Sequence, residues 1–134
     1  MKKIITTIFL LSGIWLNTKN EISEIQVSVP EACFNVTASV YHAVPEQTDG
    51  DTTTASMFEI DMLNPYKHRI IAVSSDLLAE FPFGTKVKVS GTGHYDGIYE
   101  VQDKMPKRWS NKIDLLINVG MREGLYKNVT ICKV

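Results

Sequence analysis

From Cys33 onward the chain breaks into about six short β-rich runs, each closed by a turn signal, and that spacing constrains the fold more than any other feature. The runs are 33–44 (CFNVTASVYHAV), 67–73 (KHRIIAV), 85–90 (TKVKVS), a stretch around 99–102, 112–118 (KIDLLIN) and 128–134 (NVTICKV). In 85–90 the alternation of Lys and Val is the period-two pattern of a half-buried strand. Between the runs lie PEQTDGDTTT at 45–54, Pro82-Phe83-Gly84 and Gly91-Thr92-Gly93, all built from residues that turn the backbone. Helical signal is confined to 74–80, where Ser-Ser-Asp opens on Leu-Leu as a cap, and to 121–126. Many short strands and little helix predict a small, mainly β barrel or sandwich with one or two short helices. At 134 residues, the natural count is one such domain.

The first twenty residues read differently. Lys2 and Lys3 precede an apolar run from Ile4 to Leu16, too short for a bilayer span of about 20 residues. An export signal or N-terminal anchor over 1–20 is expected, followed by a linker or edge segment over 21–32 and the domain proper over 33–134. The small-residue cleavage signature is weak, so an uncleaved leader stays open. The whole chain carries a net charge of -1. Without residues 1–20, which hold three lysines, 11 basic residues face 15 acidic ones. That balance argues against nucleic acid as a partner and against a basic membrane-binding patch. Export into an oxidising compartment makes Cys33 and Cys132 candidates for a disulfide, the alternative being two separately buried thiols.

The usual chemical motifs are absent. His42, His68 and His94 are scattered and lack ligand partners at metal spacing, so neither a metal nor a cofactor is expected. There is no phosphate-binding glycine loop and no Gly-x-Ser-x-Gly nucleophile. What remains is carboxylates: Asp49, Asp51, Asp76, Asp103 and Asp114. Asp114 is the odd one, placed inside the apolar run Ile113-Asp114-Leu115. In a strand it points away from both neighbours, either to solvent or into a groove, where an apolar setting would raise its pKa.

Three pieces of the sequence, in order, resemble the three-aspartate domain. They are Thr54-Ala55-Ser56 after an acidic loop, the Pro-x-Gly-Thr-Lys-Val run from Pro82 to Val87, and the pair Asp103 and Asp114, eleven apart, the second followed by Leu. The likeness runs from about Val36 to Val134. That family is a double-psi β-barrel related to the catalytic domain of the membrane-bound lytic transglycosylase A family. The resemblance implies a six-stranded barrel that cleaves the β-1,4 bond between N-acetylmuramic acid and N-acetylglucosamine of peptidoglycan, leaving a 1,6-anhydro end. It makes Asp114 the single acid/base and Asp103 its neighbour, either raising its pKa or fixing it and the sugar. It makes Thr54 and Asp51 groove-lining groups that bind sugar hydroxyls, with peptidoglycan strands as the partner of an exported monomer; Ser56, Asp76 and Trp109 are further substrate-binding candidates.

The sequence also departs from that family. Ser74 stands where many members carry the first aspartate, with Asp76 two residues on. The glycine-rich block after the second aspartate is replaced by basic DKMPKRWSNK, in which Trp109 either stacks on a sugar or packs the barrel end. Met57 replaces a common glycine. Two rival readings follow: a non-catalytic barrel that binds glycan strands, as expansin-like and rare-lipoprotein-A-like barrels do, and a structural envelope or virion component.

Overall fold

The computed structural model describes residues 32–48 and 50–134. The expected export segment 1–20 and all of the linker except residue 32 lie outside the described residues. Six strands follow in order: β1 (Cys33–His42), β2 (Ile70–Val73), β3 (Lys86–Ser90), β4 (Gly97–Lys104), β5 (Lys112–Ile117) and β6 (Tyr126–Lys133). One four-residue helical turn, α1 (Pro45–Thr48), and two 3-10 turns, Pro65–His68 and Ser75–Leu77, interrupt them.

The strands close into a barrel in the order β1-β5-β2-β4-β3-β6, with β6 returning to β1. The pairs β1–β5 and β2–β4 are parallel and the other four antiparallel. Closure leaves no long unpaired edge among these strands. The inward positions follow the period of two. Val36, Ala38, Ile71, Val73, Val87, Val89, Val101, Ile113, Leu115, Ile117, Val129 and Ile131 are buried together in the barrel interior. A second, smaller apolar cluster forms from the outward residues Tyr41, Ile70, Ala72 and Leu116, joined by Ala43, Ile60 and Met105. The loop from 50 to 60, pinched by a bridge between Thr53 and Glu59, folds over that outer face and is joined to β4 by the Ser56 N–H to the Gln102 carbonyl. The barrel is therefore covered on one side, and that covered side carries the aspartates.

Cys33 and Cys132 sit directly opposite each other on β1 and β6 and form a disulfide, Cα to Cα 4.2 Å. The expected strand 67–73 begins only at Ile70. Pro65 starts a 3-10 turn through His68, and Arg69, at φ 52°, ends it in the left-handed region. Its guanidinium then lies over the rings of Tyr66 and Tyr99, at 4.8 and 4.4 Å, which stabilises the break in the pattern. The helix expected over 121–126 does not form: Tyr126 already pairs with Ala38 as the first residue of β6. Ser74 does not cap its turn. Its hydroxyl accepts the Lys112 N–H at 3.0 Å instead and ties the turn to β5.

Met57 has φ 70° and is 78% exposed, held in a left-handed conformation by its turn. That conformation costs a side-chain-bearing residue about 1–2 kcal/mol, against about 0.5–1 kcal/mol of extra chain freedom lost by glycine. Met57→Gly should raise the melting temperature by a few degrees. A fall in a thermal melt would mean that the methionine side chain makes a stabilising contact instead.

Candidate functional site

The two aspartates meet across one strand. Ala72 of β2 is in register with Asp103 on β4 and with Asp114 on β5. The two carboxylates therefore flank β2 on its outer face, their Cα atoms about 10 Å apart at the usual strand spacing, with only the Ala72 methyl between them on the sheet. Asp103 reaches that face through an irregularity. Val101 points into the core, and strict alternation would send Asp103 after it. The β2–β4 register shifts between Ile71 and Ala72, so Ala72 pairs with Asp103 rather than Gln102. That bulge re-aims the carboxylate outward.

β1 supplies the groups that hold both. In its parallel pairing with β5, Ser39 stands opposite Asp114 and donates its hydroxyl hydrogen to Oδ1 at 2.9 Å. Tyr41, two residues on and on the same face, donates its hydroxyl to Asp103 Oδ2 at 3.1 Å. The other Asp103 oxygen accepts the N–H groups of Ala55 and Lys104, both at 2.9 Å. Among the described residues, Ser39 is the single hydrogen-bond donor to Asp114.

Two open hollows flank this arrangement. One, of about 380 Å³, is lined by Asp51, Thr53, Thr54, Ala55, Asp103 and Lys104 among others. The second, of about 540 Å³, is lined by Ser39, Glu46, Arg108, Trp109, Lys112 and Asp114 among others. Tyr41, Met105 and Pro106 belong to both, so the hollows adjoin across that wall, with a carboxylate in each.

Burial pushes the Asp114 carboxyl up to about 6. The Ser39 bond and the charges of Lys112 and His42 work against that rise, and the nearby Asp103 adds to it. Burial, then the neighbouring Asp103, push the Tyr41 phenol well above its ordinary value, so it stays a hydrogen-bond donor. Asp51 is held below the ordinary carboxylate range by bonds from the backbone N–H and hydroxyl of Thr53.

The other sequence candidates are placed as follows. Thr54 lines the first hollow, but its hydroxyl accepts the Phe58 N–H at 3.1 Å and pairs with Ser56 at 3.0 Å. Ser56 in turn donates to Gln102 Oε1 at 2.5 Å, which joins the loop to β4. Asp76 accepts the Asn111 N–H at 2.9 Å, at the start of β5, and lines neither hollow. Its carboxyl is held below the usual range first by the Ser74 hydroxyl. Trp109 does line the second hollow, 38% exposed, with the Lys112 ammonium 3.8 Å from its ring centroid. Sequence reading missed Ser39 and Tyr41; their i, i+2 spacing in an alternating strand was the available signal. Among the described residues no cluster of three or more His, Cys, Asp or Glu is placed to hold a metal ion.

No family model matches the chain, and no curated protein matches it. Among solved structures, a mutant expansin of Clavibacter michiganensis, crystallised in complex with cellohexaose, aligns at a TM-score of 0.53 with 18% identity. The alignment covers 77% of this chain and 50% of the expansin chain, so this chain spans about half the length of that protein. What the two share is the fold. The chain is a mainly β, closed, six-stranded mixed barrel of the double-psi type, the member of the barrel-or-sandwich pair that the three-aspartate resemblance implies.

Proposed function

We propose that this barrel binds a glycan strand along the groove formed by the two hollows. The observation that carries the reading is the pairing of Asp103 and Asp114 on opposite sides of Ala72, each facing one half of an open groove. Neutral sugars are held by carboxylates that accept from hydroxyls and by flat aromatic faces, and both are present here, Trp109 providing the second. The barrel likeness to an expansin carrying a cello-oligosaccharide supports a polysaccharide as the kind of ligand.

One observation favours a catalytic version of this reading. A carboxyl group that holds its proton to about pH 6 beside an open groove is poised as a general acid. In the reaction implied by the three-aspartate resemblance, the strand is peptidoglycan, delivered to by the export segment expected over 1–20. Asp114 gives its proton to the glycosidic oxygen as the bond from that oxygen to the muramoyl C1 breaks. The resulting Asp114 carboxylate then takes the proton of the muramoyl C6 hydroxyl while its oxygen bonds to C1. The products are a free 4-hydroxyl on N-acetylglucosamine and a 1,6-anhydro end, with no water consumed. Asp103, locked by Tyr41, Ala55 and Lys104, supplies fixed negative charge across Ala72 and acceptors for sugar hydroxyls. Ser39 orients the acid.

The test is digestion of purified peptidoglycan by the full chain and by its Asp114→Asn form, read by mass spectrometry. Muropeptides ending in 1,6-anhydro-muramic acid, released by the unmutated protein alone, support the catalytic version. Reducing ends mean a hydrolase and overturn the one-carboxyl mechanism. Co-sedimentation with sacculi and no release leaves glycan binding as the function. Neither binding nor release overturns the glycan reading.

A further inference from the structure

The groove is bordered by four cations, all from the segment 104–112: Lys104 and Lys107 on the first hollow, Arg108 and Lys112 on the second. Ion pairs among the described residues are His42 with Glu123 and Lys67 with Asp61, so none of the four is neutralised by a close carboxylate. The acids of the groove form no ion pair with them among the described residues, and Lys112 acts on Asp114 through its field alone. Asp103 accepts the Tyr41 hydroxyl and the Ala55 and Lys104 N–H groups, and Asp51 accepts the N–H and hydroxyl of Thr53. Asp114 is bonded by Ser39, and Glu46 is an exposed residue of α1.

Two of the cations are also held in place. The Lys112 ammonium lies 3.8 Å and the Arg108 guanidinium 5.3 Å from the Trp109 ring centroid. Such contacts keep the heads at the groove rather than spread into solvent and lower the ordering cost of binding an anion there. The carboxylates that line the same hollows, Asp51, Asp103, Glu46 and Asp114, lie beyond ion-pair distance of these heads, which leaves the cations open to a carboxylate on the ligand.

We propose that Lys107, Arg108 and Lys112 bind carboxylate groups carried by the glycan, so that the groove selects an acidic strand over a neutral one of the same backbone. This rests on the glycan reading and names the class of glycan. The carboxylate belongs either to the sugar itself, as a lactyl ether or uronate, or to a peptide attached to it.

The experiment measures binding of dye-labelled strands of about six sugars to the full chain by fluorescence anisotropy. The strands are a neutral N-acetylglucosamine oligomer, a peptide-free muramoyl strand, the same strand with its carboxylates amidated, and a peptide-bearing strand. Three exposed charge pairs predict about tenfold tighter binding of the acidic strand than of its amidated form at low salt. The ratio should shrink toward one near 0.5 M salt, where the Debye length is about 4 Å. In the Lys107→Gln, Arg108→Gln double variant the ratio should fall to about threefold or less. Because it is a ratio within one preparation, partial unfolding cancels. A preference confined to the peptide-bearing strand supports the proposal with the peptide as the carboxylate source. Equal binding of all four strands, or a preference that survives the double variant, overturns the proposal and leaves glycan binding intact. Binding of no strand overturns both.

Discussion

Asp114→Asn should raise the unfolding temperature of the protein by about 10 °C at pH 8 and by nothing measurable at pH 3. In the folded protein burial raises this carboxyl from its model-compound value of 3.8 to about 6. Below the unfolded pKa both states hold the proton, and the group costs nothing. As pH rises through the interval between the two values, the unfolded chain releases its proton first and folding loses ground. Above the folded pKa the cost is complete, about 2–3 kcal/mol for a shift of roughly two units. Asparagine keeps an oxygen to accept the Ser39 hydroxyl at the Asp114 position. It removes the buried charge and keeps the shape. Each kcal/mol moves the melting point of a domain this size by about 4–8 °C. Calorimetry at the two pH values reads the effect directly. A variant less stable at pH 8 would mean that the bonds and charges around Asp114 outweigh its burial. On the catalytic reading the same variant releases anhydro-muropeptides at least about a hundredfold more slowly. A residue that is costly to fold and needed for turnover is the signature expected of an acid kept in an unfavourable place.

The second large effect is on the disulfide. Cys33 and Cys132 are separated by 99 residues in sequence, so the bond closes nearly the whole described domain into one loop. On chain-entropy grounds that restricts the unfolded chain by about 4–5 kcal/mol, and loss of native bridges from small domains costs about 2–5 kcal/mol. The Cys33→Ser, Cys132→Ser double variant should melt about 15–20 °C lower. Ser39 lies six residues further along β1, about 20 Å from the bridge at strand rise. Below its melting point the double variant should therefore bind glycan strands as the natural chain does. A melting point within a few degrees of the natural chain would show that the reduced chain is already compact in its unfolded state.

Much of the barrel was legible because local pattern and final environment agree. In β3, Val87 and Val89 are wholly buried and Lys86 and Lys88 exposed, as the alternation requires. Asp114 between Ile113 and Leu115 marked itself by breaking an apolar run, and the structure puts it on the groove face. What was hidden is non-local. Nothing in residues 99–104 announces the bulge that turns Asp103 away from the core, because its cause is the register against β2. Tyr41 looks like any aromatic in a β-rich run until β1 is laid beside β5 and its hydroxyl reaches Asp103. The segment before Ile70 reads as strand since Arg69 is an acceptable strand residue, and only the stacking on Tyr66 and Tyr99 explains its left-handed backbone. Ser74 reads, in the sequence, only as a departure from the three-aspartate pattern. It is fully buried and serves as an anchor for β5 through Lys112, a role that its neighbours in sequence do not reveal.

The order in which the strands close has a consequence for how the chain acquires its site. Ser39 meets a partner 75 residues downstream and Tyr41 one 62 residues downstream. Parallel pairing of β1 with β5 rewards the chain only after that long loop has been closed. Such topologies fold slowly, in milliseconds to seconds, and leave few early footholds. A nascent chain that has not yet produced β5 has no acid opposite Ser39. One lacking β6 has no strand to complete the ring between β3 and β1. The groove is therefore a late event of folding, and no form that stops short of β6 carries it.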